Sequence, residues 1–153
     1  MKSSIRETLK NALIICNNAG VRLTEKRKRT LCILLELNKP ISAYEFIEEY
    51  KRKYNEAITA MSAYRMLNFL VNENLAHKLQ SVNKYTACSH INCNHGHGLQ
   101  QFLICDSCDQ VDEILVSKQS MEKLTHKIEE TGFLLNNKEL EFHGTCQTCQ
   151  TIT

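Results

Sequence analysis

The sequence predicts an α+β protein in which a helical N-terminal half ends in a hairpin and a small α/β domain follows. In residues 3–71, apolar side chains recur at helical spacing between helix start and stop signals. Residues 75–88 instead indicate two short strands. A third observation is two Cys-x-x-Cys sequences in the last third of the chain. We therefore expect domains over residues 1–88 and 101–153, joined by a His-rich linker at 89–100.

Four helices are predicted in the N-terminal half. The first covers residues 3–18 and stops at Gly20, and Thr24 caps the second. Ser42 opens the third with a Ser-x-x-Glu capping box, and residues 59–71 form the fourth. Side chains expected to pack in this half include Cys16, Leu31, Cys32, Leu34, Phe46, Tyr50, Ala60, Ala63, Leu67 and Leu70.

Two strands follow, at residues 75–80 and 84–88, and residues 81–83 join them as a hairpin. Three helices, a fourth with polar side chains outward and then a hairpin are the order of a winged helix-turn-helix. In that arrangement the later helix enters the major groove of DNA and the hairpin lies along the backbone. The alternative is a small helical domain with a surface hairpin that never meets DNA.

The charge of the chain is divided unevenly. Residues 1–85 hold 15 Lys or Arg against 8 acidic residues, whereas residues 86–153 hold 4 against 9. The first half can therefore meet a polyanion, and the second half would repel one. The chain has no apolar run that could span a bilayer, and its first residues are charged where a signal peptide would be apolar. We expect a cytoplasmic protein with no membrane partner.

Four cysteines are spaced as the ligands of a structural zinc ion. Cys105 and Cys108 form one Cys-x-x-Cys pair, and Cys146 and Cys149 form the other. Two such turns supply the four thiolates of a tetrahedral site, and the 37 residues between the pairs let the ion hold a whole domain together. The alternatives are disulfides, which need an oxidising compartment, and dithiol redox chemistry, which usually uses one pair where a strand runs into a helix.

The C-terminal domain is predicted to contain one helix among short strands. Strands are expected at residues 101–104 and 111–115, a helix at 117–131, and two further strands at 133–135 and 140–142. A small sheet covered by one helix leaves its edges open. We therefore expect this domain to form a homodimer.

Short sequences in this chain carry a resemblance to a known family: Val21-Arg22-Leu23-Thr24, Ala63-Tyr64-Arg65-Met66-Leu67-Asn68-Phe69-Leu70, Phe102-Leu103-Ile104-Cys105-Asp106-Ser107-Cys108 and Phe142-His143-Gly144-Thr145-Cys146. With the winged helix, the His-rich linker and the two Cys pairs, they resemble the ferric uptake regulator family of bacterial metalloregulators over nearly the whole chain. Ala76-His77-Lys78 and Tyr85-Thr86-Ala87-Cys88 are most similar to the zinc-responsive branch. One departure is Asp109, where the family commonly has glycine.

The resemblance implies a second, regulatory zinc site built from both halves of the chain. Its ligands would be His77, Cys88, Glu113 and a histidine of the linker, for which His97 is favoured and His95 is the alternative. A thiolate with imidazoles and one carboxylate suits zinc, whereas Fe(II) sensors favour nitrogen and oxygen ligands without sulfur. Two zinc ions per subunit are therefore expected.

The function that the resemblance implies is that of a zinc-dependent dimeric repressor, not an enzyme, which binds a palindromic DNA operator and controls zinc uptake genes. Tyr64 and Arg65 would contact bases in the major groove. Arg22, Arg27 and Lys84 would contact phosphates.

This function has three alternatives. One is an iron- or peroxide-responsive regulator of the same family, and another is a zinc-stabilised protein-interaction module, against which the uneven division of charge argues. The third, a dithiol oxidoreductase, would need a redox-active pair with a depressed thiol pKa, and nothing near either pair is cationic enough to indicate one. His90, Cys93 and His143 could form a further, auxiliary metal site, and they are the next candidate if zinc is sensed outside the implied regulatory site.

Overall fold

The computed structural model describes residues 2–93 and 100–151. Its helices and strands are, in chain order, α1 (Lys2–Asn18), α2 (Glu25–Leu37), α3 (Ala43–Tyr54), α4 (Ala60–Asn72), β1 (Ala76–Leu79), β2 (Lys84–Ala87), β3 (Gln100–Cys105), β4 (Val111–Leu115), α5 (Lys118–Glu129), β5 (Glu141–Gly144) and α6 (Gln147–Gln150). They form two compact units, Met1–Cys93 and Asn94–Thr153. The predicted α+β class is confirmed. None of the helices in the described residues combines the length and the apolar character needed to cross a membrane.

The ends of the helices in the first unit follow from local hydrogen bonds. The hydroxyls of Thr24, Ser42 and Thr59 each accept a hydrogen bond from the backbone N–H three residues further on, which satisfies an otherwise unpaired donor at the helix start. The capping box at Ser42 is complete. Gly20 has a φ of 72°, so α1 stops in a left-handed conformation that glycine adopts without strain. The four predicted helices are confirmed.

The core of the first unit is close to the predicted one, with two corrections. Cys16, Leu31, Leu34, Phe46, Tyr50, Ala63, Leu67 and Leu70 are buried in one cluster. Ala60 is exposed, because the first turn of α4 extends past the core, which begins at Ala63. Cys32 is half-buried in a polar setting, where its Sγ accepts a hydrogen bond from Lys53 Nζ at 3.4 Å.

The antiparallel β1–β2 hairpin, called the wing below, is joined to this core. Its register pairs Ala76 with Ala87 and His77 with Thr86. Tyr85 exchanges two backbone hydrogen bonds, of 2.9 and 2.7 Å, with the residue Ile41 that precedes α3. The predicted hairpin is therefore confirmed, and Tyr85 anchors it to the helices.

Residues 89–93, which the sequence assigns to the linker, pack against the first unit. Ile91 is buried in the helical core. The Asn92 side chain donates to the Thr8 hydroxyl and accepts from the Asn11 side chain, both at 2.8 Å. These contacts fasten the chain to α1 directly after the wing. Residues 94–99 of the predicted linker lie outside the described residues.

The second unit contains a three-stranded sheet in the order β4-β3-β5, with β3 antiparallel to β4 and parallel to β5. Between β4 and β5 the chain forms α5, which buries Met121 and Thr125. The fully buried Gln101 on β3 donates to the Lys138 carbonyl at 3.2 Å and accepts from the Leu140 N–H. This amide fixes the segment before β5 against β3.

The strand predicted at residues 133–135 is wrong. β3 already pairs with β4 on one side and β5 on the other, so it offers this segment no free edge. Phe133 and Leu134 are instead 61% and 77% exposed. The last predicted strand forms as β5, and the short helix α6 was not predicted.

Candidate metal centre and nucleic-acid interface

The two Cys pairs meet where β3 and β5 end, at one end of the three-stranded sheet. Cys105 ends β3, and its parallel partner on β5 is Gly144. Because β5 runs in the same direction as β3, Cys146, which follows β5, lies at the same end of the sheet as Cys105. Cys108 follows in the turn towards β4, and Cys149 lies on α6. The four sulfur atoms lie within 4.8 Å of one another.

The spacing of these sulfurs fits a tetrahedral zinc ion. Thiolates at about 2.3 Å from a central zinc stand about 3.8 Å apart. The Sγ atoms of Cys108 and Cys146, which come from different pairs, are 3.7 Å apart. A disulfide requires about 2.05 Å, and each of these cysteines is a free thiol. All four positions of the tetrahedron come from the protein, which is the arrangement of a structural site.

The electrostatics of the cluster also favour a cation. The backbone N–H of Cys146 donates to Cys105 Sγ at 3.3 Å, and with the N–H groups of Cys108 and Ser107 it lowers the pKa of Cys105 to about 6. Hydrogen bonds with Cys146 and Cys108 raise the pKa of Cys149 to about 12. One thiolate is therefore stable near neutral pH, whereas further ones need a positive charge beside them. A zinc ion would supply that charge.

Polar contacts hold the two Cys segments together beside the cluster. The Asp106 N–H donates to the Gly144 carbonyl at 2.9 Å, and Asp106 Oδ1 lies 2.7 Å from His143 Nδ1. Asp109 has a φ of 60°, the left-handed region that glycine enters freely and aspartate tolerates. The glycine that the family resemblance leads one to expect at this position would adopt the same conformation without strain.

His77 and Cys88 lie on one face of the wing. His77 pairs with Thr86 across the hairpin, and the Cys88 N–H donates to the Leu75 carbonyl at 3.0 Å. Residues two apart in extended chain point to the same side, so Cys88 shares the side of Thr86 and is a diagonal neighbour of His77. Both side chains are buried, with exposed fractions of 6% and 3%. An imidazole and a thiol with this placement are suitable zinc ligands.

The other ligands implied for the regulatory site lie further along the chain. Glu113 is half-buried on β4, where it pairs with Phe102. His97 and its alternative His95 fall outside the described residues. The further metal site considered from the sequence would use residues of both units. His90 and Cys93 belong to the first unit, and His143 belongs to the second.

The outer face of α4 exposes the polar side chains Ser62, Arg65 and Asn68, as the sequence predicts. Arg65 is exposed on this face, whereas Tyr64 is half-buried and packs against the helical core. Asn68 accepts a hydrogen bond from the Tyr85 hydroxyl at 3.3 Å, which ties α4 to the wing. Of the two predicted base contacts, Arg65 is thus the more exposed.

Arg27, predicted as a phosphate contact, has a packing role within the first unit. Its guanidinium lies 3.7 Å from the centroid of the Phe69 ring, and its Nη1 donates to the Arg22 carbonyl at 2.7 Å. These contacts tie the start of α2 to α4. Arg22 is exposed, and Lys84 is half-buried on β2.

We expect Arg27→Ala to lower the free energy of unfolding of the first unit by about 1–2 kcal/mol, because it removes a cation–π contact and a charged hydrogen bond. The chain has five tyrosines, all in the first unit, and no tryptophan. Tyrosine fluorescence during urea unfolding therefore reports this unit. Arg65→Ala, at an exposed position, serves as the control with an unchanged midpoint. The same midpoint for Arg27→Ala and the unaltered protein would contradict the assigned packing role.

Sequence reasoning overlooked two exposed side chains at the starts of α3 and α4. Met61 is 66% exposed in the first turn of α4, and Tyr44 is 70% exposed in the first turn of α3. Met61 precedes Arg65 by four residues and so shares its face of the helix. Its spacing from Ala63, on the buried face, was a signal that could have identified it.

The sequence and the fold of the whole chain are similar to those of known proteins. The chain is 32% identical over 149 residues to the zinc uptake regulation protein of Escherichia coli strain K12, which covers 97% of this chain and 84% of that protein. A solved structure of a zinc uptake regulator complexed with zinc and DNA has a TM-score of 0.84 and 29% identity, over 97% of this chain and 96% of that one. The holo structure of XcZur has a TM-score of 0.77 and 30% identity, over 99% of both chains.

A model of a protein family also matches most of the chain. Residues 18–151 match the model of the ferric uptake regulator family. The matched range contains the second to fourth helices, the wing, the sheet and all four cysteines of the metal cluster. This chain therefore belongs to the ferric uptake regulator family.

Proposed function

We propose that this protein is a zinc-responsive transcriptional repressor that binds operator DNA as a homodimer and controls zinc uptake genes. The observation that carries the proposal is the likeness, over 97% of the chain, to a zinc uptake regulator bound to zinc and DNA. The proposed action is regulated DNA binding, not an enzymatic reaction, and it takes place in the cytoplasm where the DNA is.

Two zinc ions per subunit are proposed, with different roles. The first would be held by the cluster of Cys105, Cys108, Cys146 and Cys149, whose sulfur spacing and hydrogen bonds favour a structural zinc. When bound there, zinc neutralises the thiolates and cross-links β3 to the chain after β5. The second is proposed at His77, Cys88, Glu113 and His97, with His95 as the alternative. Support for it comes from the imidazole and the thiol that share one face of the wing.

The homodimer is proposed to form through the second unit. Leu103 on β3 and its register partner Phe142 on β5 are 39% and 49% exposed. Ile114 and Leu115 on β4 are also exposed, at 37% and 54%. A small unit with so many uncovered apolar side chains favours association with a second copy.

Regulation is proposed to act on the geometry of the dimer. Two recognition helices must stand about 34 Å apart to enter successive turns of the major groove. Ligands from the wing and from the second unit that share one ion would restrict how the two units are arranged. To change from 1% to 99% of the competent arrangement, zinc must bind that arrangement with roughly 5.5 kcal/mol greater affinity.

Base and phosphate contacts should respond differently to substitution. Arg65→Ala is expected to weaken the free energy of binding to the operator duplex by about 1–3 kcal/mol and to relax the base preference at one operator position, because a bidentate contact to a guanine is lost. Lys84→Ala should weaken binding to all sequences alike and reduce the salt slope by about 1. Fluorescence anisotropy on operator and random duplexes checks both. If Arg65→Ala weakens both duplexes equally, Arg65 is a backbone contact.

The proposal is tested by selecting duplexes from a random pool with the purified full-length protein, in parallel with added zinc and with added Fe(II). Enrichment of a palindromic sequence with zinc is the expected result. Enrichment with Fe(II) alone would identify an iron regulator of the same family. No enrichment with either metal would identify a zinc-stabilised interaction module and overturn the proposed function.

A further inference from the structure

The outer face of α4 combines one apolar side chain with one cation. α4 buries Ala63, Met66, Leu67 and Leu70 on its inner face. On the outer face, Met61 is 66% exposed in the first turn and the exposed Arg65 follows four residues later. Residues four apart on a helix are neighbours. A surface that contacts DNA through Arg65 would therefore contact it through Met61 as well.

The first turn of α4 is held in place by its own cap. The Thr59 hydroxyl accepts from the Ser62 N–H at 3.2 Å and donates to the Ser62 hydroxyl at 3.1 Å. Ser62 is thereby engaged in the cap. Because the backbone of this turn is fixed, the position of Met61 along the helix is fixed too, while its unbranched thioether side chain keeps the freedom to adapt to a surface.

The major groove offers one apolar group to such a side chain. Base edges there present hydrogen-bond donors and acceptors, except for the C5-methyl group of thymine. The residues at the start of a recognition helix are those that contact base edges. We propose that Met61 is a specificity-determining residue that reads a thymine methyl next to the base pair contacted by Arg65. This inference rests on the proposed function, because it requires α4 to be the recognition helix.

The test uses the zinc-loaded full-length protein and the duplex selected by it. Each thymine of the duplex is replaced in turn by uracil, which pairs identically and lacks only the methyl group. Affinities are measured for the unaltered protein, for Met61→Gln and for Ile14→Ala. Glutamine keeps the length of the side chain and the helix propensity. Ile14 is a matched exposed apolar residue, 55% exposed on α1, and serves as the control.

Replacing one particular thymine in each half-site by uracil should weaken the binding of the unaltered protein to the duplex about 3- to 5-fold, the loss expected for one buried methyl group. The loss should disappear in Met61→Gln and persist in Ile14→Ala, and the thymine should adjoin the position that Arg65→Ala relaxes. Equal uracil effects in Met61→Gln and the unaltered protein would overturn the inference while leaving the proposed function intact. A selection that enriches no sequence would overturn both.

Discussion

Cys146→Ser is expected to unfold the second unit and abolish the dimer. The four sulfurs lie within 4.8 Å of one another, and a structural zinc among them contributes on the order of 10 kcal/mol of folding free energy. Loss of one thiolate leaves the ion with three protein ligands and the sheet edge without its cross-link. Far-UV circular dichroism should fall, the sedimentation coefficient should change to that of a monomer or an aggregate, and zinc per chain should drop.

The first unit offers internal controls for this result. Tyrosine fluorescence should stay native-like in Cys146→Ser, because the five tyrosines lie outside the affected unit. Cys32→Ser, a matched change at a half-buried thiol of α2, should keep both the zinc content and the dimer. A soluble, dimeric Cys146→Ser protein that binds operator DNA in response to zinc would show that the cluster is not structural.

Cys88→Ser is expected to remove the zinc response while the fold survives. Cys88 is a buried thiol after β2, outside the four-cysteine cluster, so the structural ion and the dimer should remain. Without this thiolate the proposed regulatory site loses its softest ligand. The gain in operator affinity on adding zinc, roughly 5- to 150-fold for a typical coupling of about 1–3 kcal/mol, should disappear.

A second variant separates sensing from packing at this position. His77→Gln removes a different proposed ligand from the same face of the wing and should give the same loss of response. Tyrosine fluorescence in urea shows whether either change destabilises the first unit. A full zinc response in both variants would move the sensing site elsewhere in the chain and remove the support for the proposed ligand set.

The features that could be predicted are those that depend on local chemistry. The hydroxyls of Thr24 and Ser42 cap helices through residues three positions away, so the sequence alone reveals them. Thr59 was predicted as the first residue of the fourth helix and is its cap. The four-cysteine cluster was also predictable, because the spacing within each pair determines the local turn. The parallel pairing of β3 with β5 brings Cys105 and Cys146 together, as their binding to one shared ion requires.

The features that could not be predicted depend on which surfaces are already occupied. Residues 133–135 have the apolar composition of a strand but find both edges of β3 taken. Cys32 resembles a core residue by spacing, yet Lys53 contacts its sulfur from α3. The spacing of Met61 from Ala63 places it opposite the buried face of α4, but how exposed it is depends on how far the first turn of α4 extends beyond the core, which helical periodicity does not specify.

The measurement that tests the account most directly is a zinc titration of operator binding with the metal content determined at each point. At low free zinc, the protein should retain one ion per chain, remain dimeric and bind the selected duplex weakly. Filling the second site should raise the affinity at least about 5-fold, the lower limit of a typical allosteric coupling. If the affinity is the same with one and with two zinc ions per chain, zinc does not regulate DNA binding and the account is contradicted.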